Sequence, residues 1–165
     1  MFKLNLKKKK DFLKKFSKKK SPICCLTAYT ANIAKIVDKY ADIILVGDSV
    51  GPVLYGFKST REVTMEMMIE HAKAVVKNSV KSIVVVDMPF GTYENGKKTA
   101  LKNARKILDL TGAHAVKLEG GESISKTIKY LTSNKINVMG HLGMLPQKMN
   151  GRYRVYGKKD SEKKK

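Results

Sequence analysis

Residues 43–49 read Ile43-Ile44-Leu45-Val46-Gly47-Asp48-Ser49, and the fold turns on how they are read. Four apolar residues run, with no polar alternation, into Gly-Asp-Ser. Such a run suits a strand covered on both faces, as in a parallel sheet flanked by helices. Asp48 then stands at the C-terminal end of that strand, on the rim where α/β folds gather their ligands. The same grammar recurs downstream. Ile83-Val84-Val85-Val86 runs into Asp87, and Ala115-Val116-Lys117-Leu118 runs into Glu119.

Helical spacing fills the intervals between these runs. Residues 31–40 place Ile33, Ala34, Ile36 and Val37 on one face, with Thr30 as N-cap. Residues 64–78 do the same with Met65, Met68, Ile69, Ala72, Val75 and Val76. Residues 98–111 form a third helix, stopped by Gly112 as the C′ residue, and residues 122–133 a fourth. Two shorter strands are predicted over 23–27 and 136–139, the second leading into Gly140-His141-Leu142-Gly143. Residues 51–57, punctuated by Gly and Pro, read as an irregular loop, and 144–157 are also loop-like. Alternating strands and helices predict a parallel sheet with right-handed crossovers. Five strands suit an open, flavodoxin-like sheet, whereas a closed β/α barrel needs eight, so pattern alone favours the open sheet.

The chain has 165 residues, enough for one domain with a real core. Its formal net charge of +20 is carried largely by the ends. Ten lysines face only Asp11 in residues 1–20, and five face Asp160 and Glu162 in residues 158–165. Tracts that grip nucleic acid mix in Arg, Gly or aromatics, so these ends read as solvated segments; nucleic-acid binding remains a competing reading. Phe2, Phe12 and Phe16 suit one face of a short amphipathic helix in the lead-in. Cys24 and Cys25 are adjacent, in apolar company, and are expected to be buried structural thiols of a reducing compartment. No apolar run reaches the ~18–20 residues of a membrane span, and the basic start lacks the apolar core of a secretory signal. A soluble cytoplasmic protein is expected.

Asp48, Asp87 and Glu119 converge if their strands are neighbours. Three carboxylates in one pocket repel, so a proton or a cation must be shared among them. Oxygen ligands of this kind suit Mg²⁺, which could chelate a 2-oxo acid and stabilise an enolate beside it. Lys117 lies two residues before Glu119, on the same face of its strand, and would pair with a substrate carboxylate or oxyanion. Acidic residues after strands also serve as helix caps and turn formers, and spacing leaves both roles open. His141 follows a strand end as well, whereas His71 and His114 have no evident partner. Ser49 lacks a triad, so its hydroxyl is read as a ligand contact, and no G-x-G-x-x-G opens a helix.

Five motifs then occur in order: Leu26-Thr27-Ala28-Tyr29, Val46-Gly47-Asp48-Ser49, Val86-Asp87-Met88-Pro89-Phe90-Gly91, Val116-Lys117-Leu118-Glu119-Gly120-Gly121 and Met139-Gly140-His141-Leu142-Gly143. With Pro146-Gln147 and Tyr153-Arg154-Val155, they closely resemble the ketopantoate (3-methyl-2-oxobutanoate) hydroxymethyltransferase family across residues 22–157. The resemblance implies an α/β fold, a parallel β/α barrel of the phosphoenolpyruvate/pyruvate type, with about the first five β/α units present. Residues 1–21 would be a basic N-terminal extension, 22–157 the partial barrel and 158–165 a lysine-rich tail. It implies a transferase of pantothenate biosynthesis that passes a hydroxymethyl group from 5,10-methylenetetrahydrofolate to 3-methyl-2-oxobutanoate, giving 2-dehydropantoate. Mg²⁺ would fall on Asp48, Asp87 and Glu119, and the 2-oxo acid on Asp48, Ser49, Asp87 and Lys117. The family is cytoplasmic and, in bacteria, a homo-decamer.

One departure stands out. The family's proposed base is a glutamate beyond the Tyr-Arg-Val segment, and residues 1–165 contain no match for it; Glu162 lacks the apolar strand context. The expectation is a C-terminally shortened enzyme without its base. The alternative is an inactive half-barrel or interaction module that needs a complementary chain.

Overall fold

The computed structural model describes Phe16 and residues 19–148. Five strands and four α-helices alternate along them. They are β1 (Cys25–Thr27), α1 (Ala31–Val37), β2 (Ile43–Val46), α2 (Met65–Lys77), β3 (Ile83–Asp87), α3 (Lys97–Thr111), β4 (Ala115–Glu119), α4 (Ser125–Ser133) and β5 (Val138–His141). Thr30 and Thr64 cap α1 and α2 by accepting main-chain N–H bonds, and Gly112 ends α3 in the left-handed region at φ 74°.

All strand pairs are parallel, and their spatial order is β1-β2-β3-β4-β5. This corrects the open-sheet expectation. A doubly wound sheet starts near its middle and reverses direction at a switch point. Here the order never reverses, and each helix packs against the next, α1 on α2, α2 on α3 and α3 on α4. The result is an arc of a β/α barrel, four complete units and a fifth strand among the described residues, as the family resemblance implied.

The pleat sorts the strands into two faces. Ile44, Val46, Val84, Val86, Val116 and Leu118 point toward the helices and share one core with Met68, Ala72, Val75, Ala104, Ile107 and Leu131. The concave face carries a smaller cluster, Ile43, Ile83, Val85 and Ala115, against which Leu45, Met139 and Phe16 pack. Lys19 forms an ion pair with Asp42 beside the same end of the sheet.

Several local expectations need correction. β1 is shorter than predicted and exposed along its length, since no described strand lies on its outer side. Cys24 and Cys25 are accordingly exposed, not buried. The stretch read as irregular loop is ordered: Gly51–Tyr55 form a π-helical turn, and Thr60–Glu62 a 3₁₀ turn held by a Ser59–Glu62 capping box. A 3₁₀ turn, Glu122–Ile124, precedes α4. His71 and His114 do have partners. The His71 ring joins the Tyr29 carbonyl (2.7 Å) to the Tyr55 hydroxyl (2.9 Å), and His114 Nδ1 accepts the Val84 N–H at 3.0 Å. Of the region read as loop after 143, Pro146–Lys148 form a 3₁₀ turn. Residues 149–165, including Tyr153-Arg154-Val155 and the lysine tail, and most of the 1–21 lead-in lie outside the described residues.

Candidate active site

The C-terminal rim of the arc collects the acidic strand ends. Asp87 and Glu119 are the last residues of β3 and β4, and Asp48 lies two residues beyond β2. All three are buried, at 7% exposure for Asp48, 5% for Asp87 and 4% for Glu119. Pairing of Asp87 with Lys117 and of Glu119 with His141 across the register brings all four side chains onto the concave face.

Lys117 donates to Asp87 Oδ1 at 2.7 Å, and both side chains are largely covered. The other oxygen of Asp87, Oδ2, accepts the main-chain N–H of Asp48 at 3.2 Å. Gly47 permits this approach. A Cβ at that position would sit 3.0 Å from Ser49 Oγ and 3.4 Å from Asp87 Oδ2. Ser49 Oγ shares a 2.7 Å hydrogen bond with the Tyr29 hydroxyl, which ties the end of β1 to the loop after β2.

The electrostatics follow from this crowding. Burial, and then the charge of Asp87, push the Asp48 carboxyl up to about 6, against the pull of Gln147 and Lys117. Glu119 adds to the same repulsion on Asp48. Burial also raises Asp87, although the Lys117 ammonium opposes it. Three buried carboxylates facing one ammonium leave a surplus of negative charge. His141 Nδ1 lies 3.5 Å from Glu119 Oε2 and is buried without a hydrogen-bond partner among the described residues. A surplus of oxygen donors and an orphaned ring nitrogen fit a bound cation. Among the described residues, however, no group of three or more His, Cys, Asp or Glu side chains is arranged to hold a metal ion. Glu119 Oε1 accepts the main-chain N–H of Gln147 at 2.7 Å.

The expected residues Asp48, Ser49, Asp87, Lys117 and Glu119 thus share one rim, and two further residues sit among them that sequence reasoning did not single out. Gln147 is 3% exposed, and its side chain donates to Asp48 Oδ2 (2.7 Å) and to the Met88 carbonyl (3.1 Å). The one proton of the Tyr93 hydroxyl is shared between two acceptors, Gln147 Oε1 (2.6 Å) and the Glu119 carbonyl (3.0 Å). Burial, with the charges of Glu94 and Glu119, raises the Tyr93 phenol, so it remains a donor. The only sequence signal for Gln147 was its place in the Pro146-Gln147 motif; Tyr93 had none.

Comparison with known proteins places these observations in context. A family model described as ketopantoate hydroxymethyltransferase matches residues 7–165, taking in most of the first lysine-rich end and all of the second. A 3-methyl-2-oxobutanoate hydroxymethyltransferase of Rhizobium etli is 52% identical over 143 residues, 86% of this chain and 52% of its own length. Its counterpart in Pelagibacter ubique is 52% identical over 158 residues, 96% of this chain and 60% of its own. The chain therefore spans about half the length of the curated relatives it matches. Among solved structures, a phosphonopyruvate hydrolase complexed with oxalate and Mg²⁺ superposes with TM-score 0.66 at 12% identity, over 81% of this chain and 51% of that one. A 2,3-dimethylmalate lyase of the PEP mutase/isocitrate lyase superfamily gives 0.64 at 14%, over 81% and 52%. At such identities the likeness concerns the fold alone.

Proposed function

The chain belongs to the ketopantoate hydroxymethyltransferase family, and from that premise we propose that its acidic rim binds Mg²⁺ and 3-methyl-2-oxobutanoate for transfer of a hydroxymethyl group from 5,10-methylenetetrahydrofolate. The observation that carries this reading is the surplus of buried carboxylate around Lys117. Asp48, Asp87 and Glu119 would hold the cation, with remaining positions left to water and substrate, as Mg²⁺ commonly requires. Bound there, Mg²⁺ would supply Lewis-acid polarisation of a 2-oxo group.

The chain's own residues do the rest of the binding. Lys117, ion-paired with Asp87, presents positive charge to a substrate carboxylate or to oxygen that gains charge during reaction. Ser49, oriented by Tyr29, offers a hydroxyl from the adjoining loop. The concave face next to them is apolar, lined by Leu45, Val85 and Met139, and suits a branched alkyl group. On this reading the acceptor of the C3 proton is not one of the residues of this rim, and the protein works in the cytoplasm as a homo-oligomer. No described helix is long and apolar enough to cross a membrane.

Calorimetric titration of 3-methyl-2-oxobutanoate with and without Mg²⁺ tests the site. Asp48→Asn and Asp87→Asn should each weaken the Mg²⁺-dependent binding at least about tenfold, the loss of a charge-assisted contact. Unchanged binding in both would remove these residues from the site.

A second reading, a half-barrel completed by another polypeptide, is favoured by the exposure of all of β1 together with Ile23 and Leu26. Folate-dependent turnover by the purified chain alone would tell against it, because loss of a general base costs about 10²–10⁴-fold even in an intact site.

A further inference from the structure

We propose that Gln147, held by Tyr93, is a positioning residue that decides which oxygens of Asp48 and Glu119 face the bound cation. The inference rests on the Mg²⁺ reading of the acidic rim and adds a residue to it.

Both nitrogens of Gln147 and its side-chain oxygen are hydrogen-bonded, to the ends of three strands and the connection after β3. Its main-chain N–H donates to Glu119 Oε1, at the end of β4. Its Nε2 donates one proton to Asp48 Oδ2, after β2, and the other to the Met88 carbonyl, after β3. Its Oε1 accepts the Tyr93 hydroxyl at 2.6 Å. A primary amide can be placed either way round, and here the choice is forced. The Tyr93 hydroxyl, both donor and acceptor, could meet either end of the amide, so the choice is made on the other side. The carboxylate of Asp48 and the Met88 carbonyl on the other side can only accept. Reversal would set oxygen against oxygen twice.

The consequence is selective. One oxygen of Asp48 and one of Glu119 accept from Gln147, while Asp48 Oδ1 and Glu119 Oε2 receive no hydrogen bond from it. The orphaned Nδ1 of His141 lies on the Glu119 Oε2 side, 3.5 Å away. Hydrogen bonds from a neutral amide fix the direction of a carboxylate without cancelling its charge, the arrangement by which outer partners orient metal ligands. Glutamine is suited to this because a lysine in its place would compete with the cation and a glutamate would add a fourth negative charge.

The test uses Mn²⁺ as probe, read by its electron paramagnetic resonance signal, on the full chain and on Gln147→Met, Tyr93→Phe and Asp48→Asn. Gln147→Met retains the main-chain N–H and the side-chain volume but loses the donor to Asp48. It should weaken Mn²⁺ binding by about 10–100-fold, the usual loss for an outer partner of a metal ligand. Tyr93→Phe should weaken it in the same direction by a smaller factor. In the unmodified chain the side-chain amide resonance of Gln147, identified by its disappearance in Gln147→Met, should shift as Mg²⁺ is added; a purely structural amide would not respond. Mn²⁺ binding that is unchanged in Gln147→Met but lost in Asp48→Asn would overturn the positioning role and leave the metal reading standing. Binding that is absent from the unmodified chain, or indifferent to Asp48→Asn, would overturn both. Tighter binding in Gln147→Met would show that the amide stands in the cation's own place and would likewise overturn the proposal.

Discussion

Strands β1 and β3 lie two places apart in one sheet, yet every residue of Ile83–Asp87 is buried and every residue of Cys25–Thr27 is exposed. Their compositions do not account for the contrast, since Cys25 and Leu26 are as apolar as many core residues. Position does. β3 has strands on both sides and helices behind it, whereas β1 has a single neighbour, β2, among the described residues. The polar rim follows the same logic. Asp87 is buried and paired because β2 and β4 bring Asp48 and Lys117 to it. An acidic residue at the end of β1 would have only one side to be answered from.

The sharpest way to break this comparison is to put the same charge into both strands. Val86 and Leu26 both lie on the helix-facing side, in register with Val46 and Ile44. Val86→Asp buries an unpaired carboxylate and should cost more than about 4 kcal/mol, enough to unfold the chain in a denaturant titration. Leu26→Asp, at a position 42% exposed, should stay within about 0.5 kcal/mol. Equal losses would mean that β1 is covered in solution.

A second effect concerns how each strand is entered. Asp38 accepts main-chain N–H bonds from Val80, Lys81 and Ser82 immediately before β3, while Asp42 accepts that of Cys24 before β1. Burial opposes ionisation of Asp38, but the bonds from Val80, Ser82 and Lys81 outweigh it and hold the carboxyl below its usual 3.8. Its contribution is therefore complete above that value and lost as pH falls through the lower value it has in the fold. Asp38→Ala should cost about 3 kcal/mol at neutral pH, by leaving these donors unsatisfied, and should flatten the acid limb of a stability–pH profile.

The smallest effect has the opposite sign. Asp48, raised from 3.8 to about 6, binds a proton more readily folded than unfolded. Stability of the metal-free protein should accordingly fall as pH rises between these values, with the cost complete above about pH 6. Asp48→Asn should then stabilise the metal-free chain by about 2 kcal/mol at pH 8 and by almost nothing at pH 4, as read from thermal unfolding. Added Mg²⁺ should reverse the ranking, because only the carboxylate gains from it.

The alternation of strands and helices, the acidic strand ends and the inward lysine were all legible in the sequence, because each is a local pattern of period and position. Asp48, Asp87, Glu119 and Lys117 needed only the rule that parallel strands end at one rim. Strand order was not legible from pattern, since sequential and doubly wound sheets share the same local grammar; the family motifs decided it. Burial of Cys24 and Cys25 was misjudged because apolar company along the chain says nothing about what lies across it. The π-helical turn at Gly51–Tyr55 escaped notice because Gly and Pro, usual breakers, here sit at its start, where Gly51 packs against Val63 and Phe57. Gln147 and Tyr93 were missed for another reason. Each acts through partners far away in the chain, and no periodicity marks a residue whose neighbours are all distant.

Sequential strand order also bears on how the molecule comes into being. A chain leaving the ribosome can add each β/α unit to one already made, since no described strand must wait for a partner not yet synthesised. The acidic rim does not share that convenience. Asp48, Asp87 and Glu119 can all be in place before Gln147 emerges, 99 residues after the first of them. Until then Asp48 and Glu119 lack the hydrogen bonds that orient them, and the last described turn of the protein is the one that supplies them.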